Sequence, residues 1–195
     1  AATRNNSLGG PRNWCFSTEP EPRMDNRRIF QPRGKVIGGS SSLNGMVFVR
    51  GHRADFDRWE AAGATGWGYA AVLPHFRAIE SYGRGADDYR GADGPISVNR
   101  LDDFHPLEQA FLDAVGEAGY GAAEDYNGAD QDGGTAFDVN IANGERSATA
   151  ALIGRIRHRP NLTVVTGAHV TGLIIEGGRA TGVTYIRNGV EYRAH

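Results

Sequence analysis

Gly34-Lys35-Val36-Ile37-Gly38-Gly39-Ser40-Ser41-Ser42-Leu43-Asn44-Gly45-Met46-Val47-Phe48-Val49-Arg50-Gly51 is the stretch that decides the fold. It packs five glycines and three consecutive serines into eighteen residues. A Gly-Gly pair reaches positive φ and lets backbone approach a ligand closely. The serines are good helix N-cap residues, and the apolar run behind them predicts a short helix. A glycine loop running into a helix N-terminus presents free N–H groups to an anion such as a phosphate. Asn44 adds a side chain that both donates and accepts. A P-loop would need Ser or Thr after Gly-Lys, where Val36 stands, and no window supplies a G-x-G-x-x-G turn. On residues alone the stretch is an anion site or a Gly/Ser surface turn.

Its wider context resembles the N-terminal signature of the glucose-methanol-choline (GMC) flavin oxidoreductases. That pattern is Gly-Lys-x-hydrophobic-Gly-Gly-Ser-Ser-x-hydrophobic-Asn-Gly, then Arg-Gly, then Asp-aromatic-Asp-x-x-Trp. Here it reads Gly34 to Gly45, Arg50-Gly51 and Asp55-Phe56-Asp57-Arg58-Trp59. Upstream, Asn13-Trp14, Thr18-Glu19-Pro20-Glu21-Pro22 and Asn26-Arg27-Arg28 fit as well. The resemblance is closest to the choline dehydrogenase-like members.

The resemblance implies an α/β fold: an incomplete FAD-binding domain of Rossmann-like GMC type, part of a substrate-binding domain, and an antiparallel β-meander. It divides the chain into 1–103 (lid and Gly-Gly-Ser-Ser part of the FAD domain), 104–144 (substrate-domain excursion) and 145–195 (helix and meander). Implied cofactor contacts are Gly38, Gly39 and Ser40 in the loop, then Asn44, Gly45, Met46 and Val47 in the turn, against the FAD pyrophosphate and flavin ring. Val170 matches a family Val whose main chain meets the adenine. Some members tether the flavin through a histidine just before the signature Asn; Leu43 stands there, which implies non-covalent FAD. The implied activity is oxidation of choline or another primary alcohol to the aldehyde, with hydride passing to flavin N5. A GMC-fold hydroxynitrile lyase and a non-catalytic anion- or partner-binding domain are the alternatives. The electron acceptor stays open.

Both ends read as cut. Ala1-Ala2-Thr3 has no Met, and Tyr192-Arg193-Ala194-His195 stops inside a strand-like pattern. The family's opening nucleotide turn and its C-terminal catalytic His are not among these residues, so the chain is expected to be an internal fragment, inactive alone, with no catalytic residue of its own.

Composition excludes several classes. A formal net charge of −2 offers no basic field for nucleic acid. No apolar run approaches a membrane span. The single cysteine, Cys15, excludes an internal disulfide and fits a reducing compartment. A cytoplasmic location follows, with peripheral membrane association as the alternative.

Local patterns complete the expectation. Residues 1–33 read as an extended, loop-rich segment. Asp55 is expected to cap a helix carrying Phe56 and Trp59 on one face and stopped by Gly63. Gly68–Glu80 reads as a second helix, kinked or begun near Pro74; Ser81–Ala92 is a loop and Gly94–Val98 a strand. His105–Ala118 is an amphipathic helix with Leu107, Phe111, Ala114, Val115 and Ala118 on one face. Glu124–Gly134 reads as a solvated acidic loop, since its Asp125, Asn127, Asp130 and Asp132 are out of register for calcium. A helix is expected over Ser147–Ile156, begun near Glu145 or Arg146, where Arg146-Ser147 resembles a family pair with no role assigned beyond starting the helix. Strands are expected at Leu162–Thr166, Val170–Glu176, Ala180–Arg187 and Val190–Arg193, with Gly177-Gly178 and Asn188-Gly189 as hairpin turns. None of the six histidines stands at metal-ligand spacing, so each is expected to be exposed or capping.

Overall fold

The computed structural model describes residues 9–103, 105–147 and 149–195. Residues 1–8 of the expected N-terminal loop and position 148 of the expected helix lie outside them. The chain divides into two compact units, one ending at Leu152 and the other covering Ile153–His195.

The first unit opens with an irregular antiparallel ribbon rather than a plain loop. β1 (Phe16–Ser17) pairs with β2 (Phe30–Gln31), with bridges at Asn13–Gly34 and Glu21–Arg27 on either side. Buried Asn13 ties the base: its Oδ1 accepts from Cys15 N and Arg33 N, both at 2.9 Å. The ribbon therefore delivers the chain to Gly34 in a fixed direction.

α1 (Arg53–Ala61) and α2 (Tyr69–Ile79) follow. His52, not Asp55, caps α1: its Nδ1 accepts from Ala54 N at 3.2 Å, while Asp55 lies in the first turn paired with Arg58. Phe56 is the buried residue of α1 and meets Trp59, Tyr69 and Phe76 at ring distances of 5.3, 6.3 and 5.6 Å. α2 continues past Pro74, which has no N–H to give Ala70 O, so the sequence expectation of a helix start at that residue does not hold.

β3 (Glu80–Tyr82) runs parallel to β4 (Ile96–Arg100), which pairs antiparallel with β5 (Asp138–Val139). Residues 101–137 leave this sheet and return to it. They carry α3 (Pro106–Glu117), whose N-cap is His105 with a full capping box to Glu108. The predicted apolar face of α3 exists, yet Leu107 is 74% and Phe111 67% exposed. Val98 at the sheet centre is fully buried.

Packed against the sheet is an ionic core instead of more apolar side chains. Three guanidinium groups (Arg50, Arg90, Arg100) interlock with three carboxylates (Glu80, Asp125, Asp138). Glu80, Arg90, Asn127 and Asp138 are fully buried. The acidic stretch is a solvated loop only in part: Glu124, Asp130 and Asp132 are exposed, whereas Asp125 and Asn127 turn inward because the buried cations require partners. Burial pulls the Arg90 guanidinium down, but the hydrogen bonds it donates to Glu80 and Asp138 outweigh it and hold the group above its ordinary value. Burial lowers Arg50, with Glu80 opposing.

β6 (Ile141–Ala142) and β7 (Glu145–Arg146) form a small hairpin, and α4 (Thr149–Ile156) follows it. The second unit is an antiparallel meander of β8 (His169–Glu176), β9 (Arg179–Arg187) and β10 (Val190–Ala194), in the order β10-β9-β8. Its turns are Gly177-Gly178 and Asn188-Gly189, all four with positive φ as two-residue hairpins demand. Residues 162–166 form no strand, for want of a partner ladder among the described residues. No helix among the described residues is long and apolar enough to cross a membrane.

Candidate functional site

Gly38–Val47 forms a compact loop and turn. The expected helix is a single four-residue 3-10 turn, Gly39–Ser42, and its N-cap is Gly38 rather than a serine. Gly38 and Gly39 hold φ of 88° and 53°, which L side chains rarely adopt. Gly34 is needed for a different reason: a Cβ there would lie 2.2 Å from Gly39 O and 2.8 Å from Ser40 N. The ribbon's last residue is thus pressed against the loop backbone.

The three serines fasten the loop. Ser40 Oγ accepts from Gly34 N at 3.2 Å, and Ser42 Oγ donates to Ile37 O at 2.9 Å. Ser41 Oγ donates to Gly38 O at 2.6 Å and accepts from Thr149 N at 3.1 Å, so it caps α4 instead of its own turn. The apolar run after Leu43 does not open a helix, because Met46 takes φ of 68° and turns the chain into an extended segment.

That segment is an added edge on the central sheet. Asn140 N donates to Met46 O at 2.9 Å, Phe48 N donates to Asp138 O at 2.8 Å, and Val47 bridges Val139. Tyr126 Oη and Asn127 Nδ2 donate to Phe48 O at 2.8 and 3.0 Å. Asn127 Oδ1 accepts from Arg50 N at 2.8 Å, and Arg50 reaches Glu80 at 2.6 Å. The ionic core therefore grips the turn from behind. Burial pushes the Tyr126 phenol up to about 12, against the opposing hydrogen bond from the Asp138 backbone.

Asn44 is exposed and held by an arginine 102 residues away. Arg146 Nη1 donates to Asn44 Oδ1 at 2.7 Å, to Asn44 O at 2.9 Å and to Ser41 O at 3.1 Å. Met46 N also donates to Asn44 Oδ1, at 3.1 Å. A cavity of about 730 Å³ opens beside the turn, lined by Val47, Val49, Phe111, Val115, Tyr126 and Phe137 among others. Gly38, Gly39, Ser40, Asn44, Gly45, Met46 and Val47 thus come together on one loop and turn. Val170 lies in the second unit, on edge strand β8 opposite Tyr185, next to a bulge that frees Thr171 from the ladder. Among the described residues, no group of three or more His, Cys, Asp or Glu is placed to hold a metal ion.

The whole of this arrangement falls inside one match: the GMC oxidoreductase model covers residues 9–194. The chain belongs to the GMC oxidoreductase family. It is 45% identical to mitochondrial choline dehydrogenase of Mus musculus over 196 residues, covering 100% of this chain and 33% of that protein. It is 49% identical to oxygen-dependent choline dehydrogenase of Rhizobium rhizogenes over 178 residues, covering 91% of this chain and 32% of that protein. The chain spans about a third of the length of these relatives. Pyridoxine 4-oxidase from Mesorbium loti superposes with a TM-score of 0.89 at 33% identity, over 98% of this chain and 38% of that one. Formate oxidase superposes with a TM-score of 0.79 at 27% identity, over 98% and 35%. The α/β fold of GMC flavoenzymes follows.

Three residues of this GMC chain have roles at the site that the local sequence does not show. Arg146 acts across a long sequence gap, and Tyr126 and Asn127 sit in a stretch whose acidity suggests solvent. Gly34 had a signal, as the first residue of the family pattern, but its close-approach role needs the loop's shape.

Proposed function

We propose that this chain is the loop-and-turn part of a longer FAD-dependent alcohol dehydrogenase or oxidase, choline or another primary alcohol being its substrate. The observation that carries the reading is the Gly38–Val47 loop: small, exposed at its ligand side and gripped from behind. FAD fits it on the chemistry of the residues present. A Cβ on Gly39 would have no neighbour closer than Gly34 O at 4.0 Å, so it would project into the open space in front of the loop. Asn44 Nδ2 has no partner among the described residues. Gly38, Gly39 and Ser40 would lie along the pyrophosphate, Asn44 to Val47 along the flavin ring, and Val170 would offer main-chain groups to the adenine. When bound, FAD supplies the two-electron acceptor for the alcohol's oxidation.

What the chain itself does is bind, orient and exclude water. The cavity beside Val47 is walled by Val49, Phe111, Val115, Tyr126 and Phe137, which suits the carbon body of an alcohol better than a free ion. Its residues come mainly from 104–144, consistent with assigning that excursion to a substrate domain, with 1–103 and 145–195 as parts of the FAD domain. The binding is read as non-covalent, and the enzyme as cytoplasmic.

The test uses the enzyme at the length of its relatives, this chain with the flanking segments of its reading frame. It is expected to purify yellow and to bleach on anaerobic addition of choline or another primary alcohol. A colourless protein with no affinity for FAD overturns the reading; a yellow protein that no alcohol bleaches leaves only the cofactor part standing.

A further inference from the structure

We infer that Arg146 is a positioning residue that fixes Asn44 as a donor-only contact, so that the ligand atom Asn44 meets is a hydrogen-bond acceptor. The inference rests on the cofactor reading above and adds the polarity of the contact and the residue that sets it.

An asparagine side chain carries one acceptor oxygen and one two-proton donor, and their exchange by a flip is settled only by neighbours. Here both neighbours of Oδ1 are obligate donors. The guanidinium of Arg146 at 2.7 Å and the peptide N–H of Met46 at 3.1 Å have no acceptor capacity. A flipped amide would set N–H against N–H at two points, so the orientation is chemically determined. The oxygen's two lone pairs are then spent inside the protein. The carbonyl of Asn44 also takes Arg146 Nη1, at 2.9 Å, and its N–H donates to Ser40 O at 2.8 Å. What remains on this exposed residue is Nδ2–H₂.

Arg146 is placed to do this by the β6–β7 hairpin, where it pairs with Ile141. One Nη1 spans Ser41 O, Asn44 O and Asn44 Oδ1, so it sets the end of the 3-10 turn and the start of the cofactor turn together. A lysine ammonium lacks the planar fork but retains the charge and a donor. On an oxidised flavin or a pyrophosphate, a donor-only contact selects the carbonyl oxygens, the unprotonated ring nitrogens or the phosphate oxygens, and rejects a ring N–H.

Asn44→Asp isolates the claim. It keeps Oδ1 on Arg146 and Met46, adds an ion pair that supports folding, and replaces the outward donor with an anionic acceptor. In the enzyme at full length, FAD affinity is read by titrating the flavin-free protein, together with the visible bands of bound flavin. Asn44→Asp is expected to melt no lower than the parent yet to bind FAD at least about tenfold more weakly. Arg146→Ala is expected to weaken FAD and shift the flavin bands in the same sense as Asn44→Ala. The double variant should lose less than the sum of the two single variants, because they share the Asn44 Oδ1 contact, and Arg146→Lys should recover part of the loss. Binding by Asn44→Asp that equals or exceeds the parent overturns the inference, as does an Arg146→Ala effect that adds fully to that of Asn44→Ala. If Asn44→Ala changes neither affinity nor bands, the cofactor reading of the turn fails, and this inference with it.

Discussion

Arg90 and Asp138, both fully buried, pair at 2.8 Å through Nη1 and Oδ2. The same guanidinium donates to Glu80 Oε1 at 2.7 Å and lies 3.6 Å above the ring of Tyr82. Glu80 begins β3 and Asp138 begins β5, so one side chain ties the two outer strands of the central sheet. Asp138 also hands its backbone to the segment that leaves the Asn44–Val47 turn, accepting from Phe48 N at 2.8 Å. Charge pairing in the core and presentation of Asn44 to Val47 are therefore one construction.

Removing one partner from such a network leaves a buried charge uncompensated. Arg90→Leu and Asp138→Asn should each lose about 3–5 kcal/mol. Arg90→Lys should not rescue, because a single ammonium cannot serve Glu80, Asp125 and Asp138 at once. Thermal melts of the full-length variants check this; a midpoint within a degree of the parent for Arg90→Leu refutes it.

A pH dependence follows from Tyr126. Burial pushes its phenol up to about 12 from an ordinary 10.0, so the folded chain holds this proton more tightly than the unfolded one. The associated stability is complete below pH 10 and is lost as pH rises toward 12. Tyr126→Phe removes a hydroxyl that donates to Phe48 O and accepts from Asp138 N, each at 2.8 Å. The variant should be less stable at pH 8 by about 1–3 kcal/mol and should lose less between pH 10 and 12. Tyr69 and Tyr82, also raised by burial, keep part of the alkaline slope. Melts at pH 8, 10 and 11 decide it, and parallel curves for the two proteins count against the assignment.

Much of this was legible in the chain, and the failures have physical causes. The hairpin turns announced themselves because Asn188-Gly189 and Gly177-Gly178 carry the φ that tight turns require. His52 and His105 were expected to be exposed or capping, and both accept a helix N–H. The α3 pattern was visible as well, though periodicity reports a face and not what covers it. The strand over 162–166 failed since a ladder needs a partner that local propensity does not supply. The largest miss was the ionic core: Asp125 and Asn127 have the composition of a solvated loop, and only the meeting of Arg50, Arg90 and Arg100 in three dimensions draws them inside. Arg146 stood out only beside Ser147, as a family-like pair at a helix start, and its hold on Asn44 depends on the same kind of meeting in three dimensions.

Close approach at Gly34 makes a sharper probe of the loop than any serine. A Cβ there would meet Gly39 O and C and Ser40 N, all backbone, none of which can step aside as a side chain would. Gly34→Ala is therefore expected to displace the Gly39–Ser42 turn and to weaken FAD about tenfold or more. Ser42→Ala should change affinity little, since its hydroxyl is spent on Ile37 O within the loop. Equal affinities for the two variants would remove the basis for placing the pyrophosphate at this turn.

The mode of FAD attachment is the last expectation. A covalent tether needs a nucleophilic side chain within reach of the flavin, and the loop from Gly38 to Val47 offers only Gly, Ser, Leu, Asn, Met and Val. Leu43, which stands where a tethering histidine is found in some GMC members, closes the 3-10 turn and carries no nitrogen beyond its peptide. The nearest histidine in sequence, His52, uses Nδ1 to cap α1. Retention then depends on reversible contacts, so Asn44→Ala should release flavin on gel filtration more readily than Ser42→Ala. Acid precipitation of the full-length enzyme gives the direct answer. All flavin absorbance is expected in the supernatant, and yellow colour surviving washes of the pellet would show a bond that the residues of this loop cannot make.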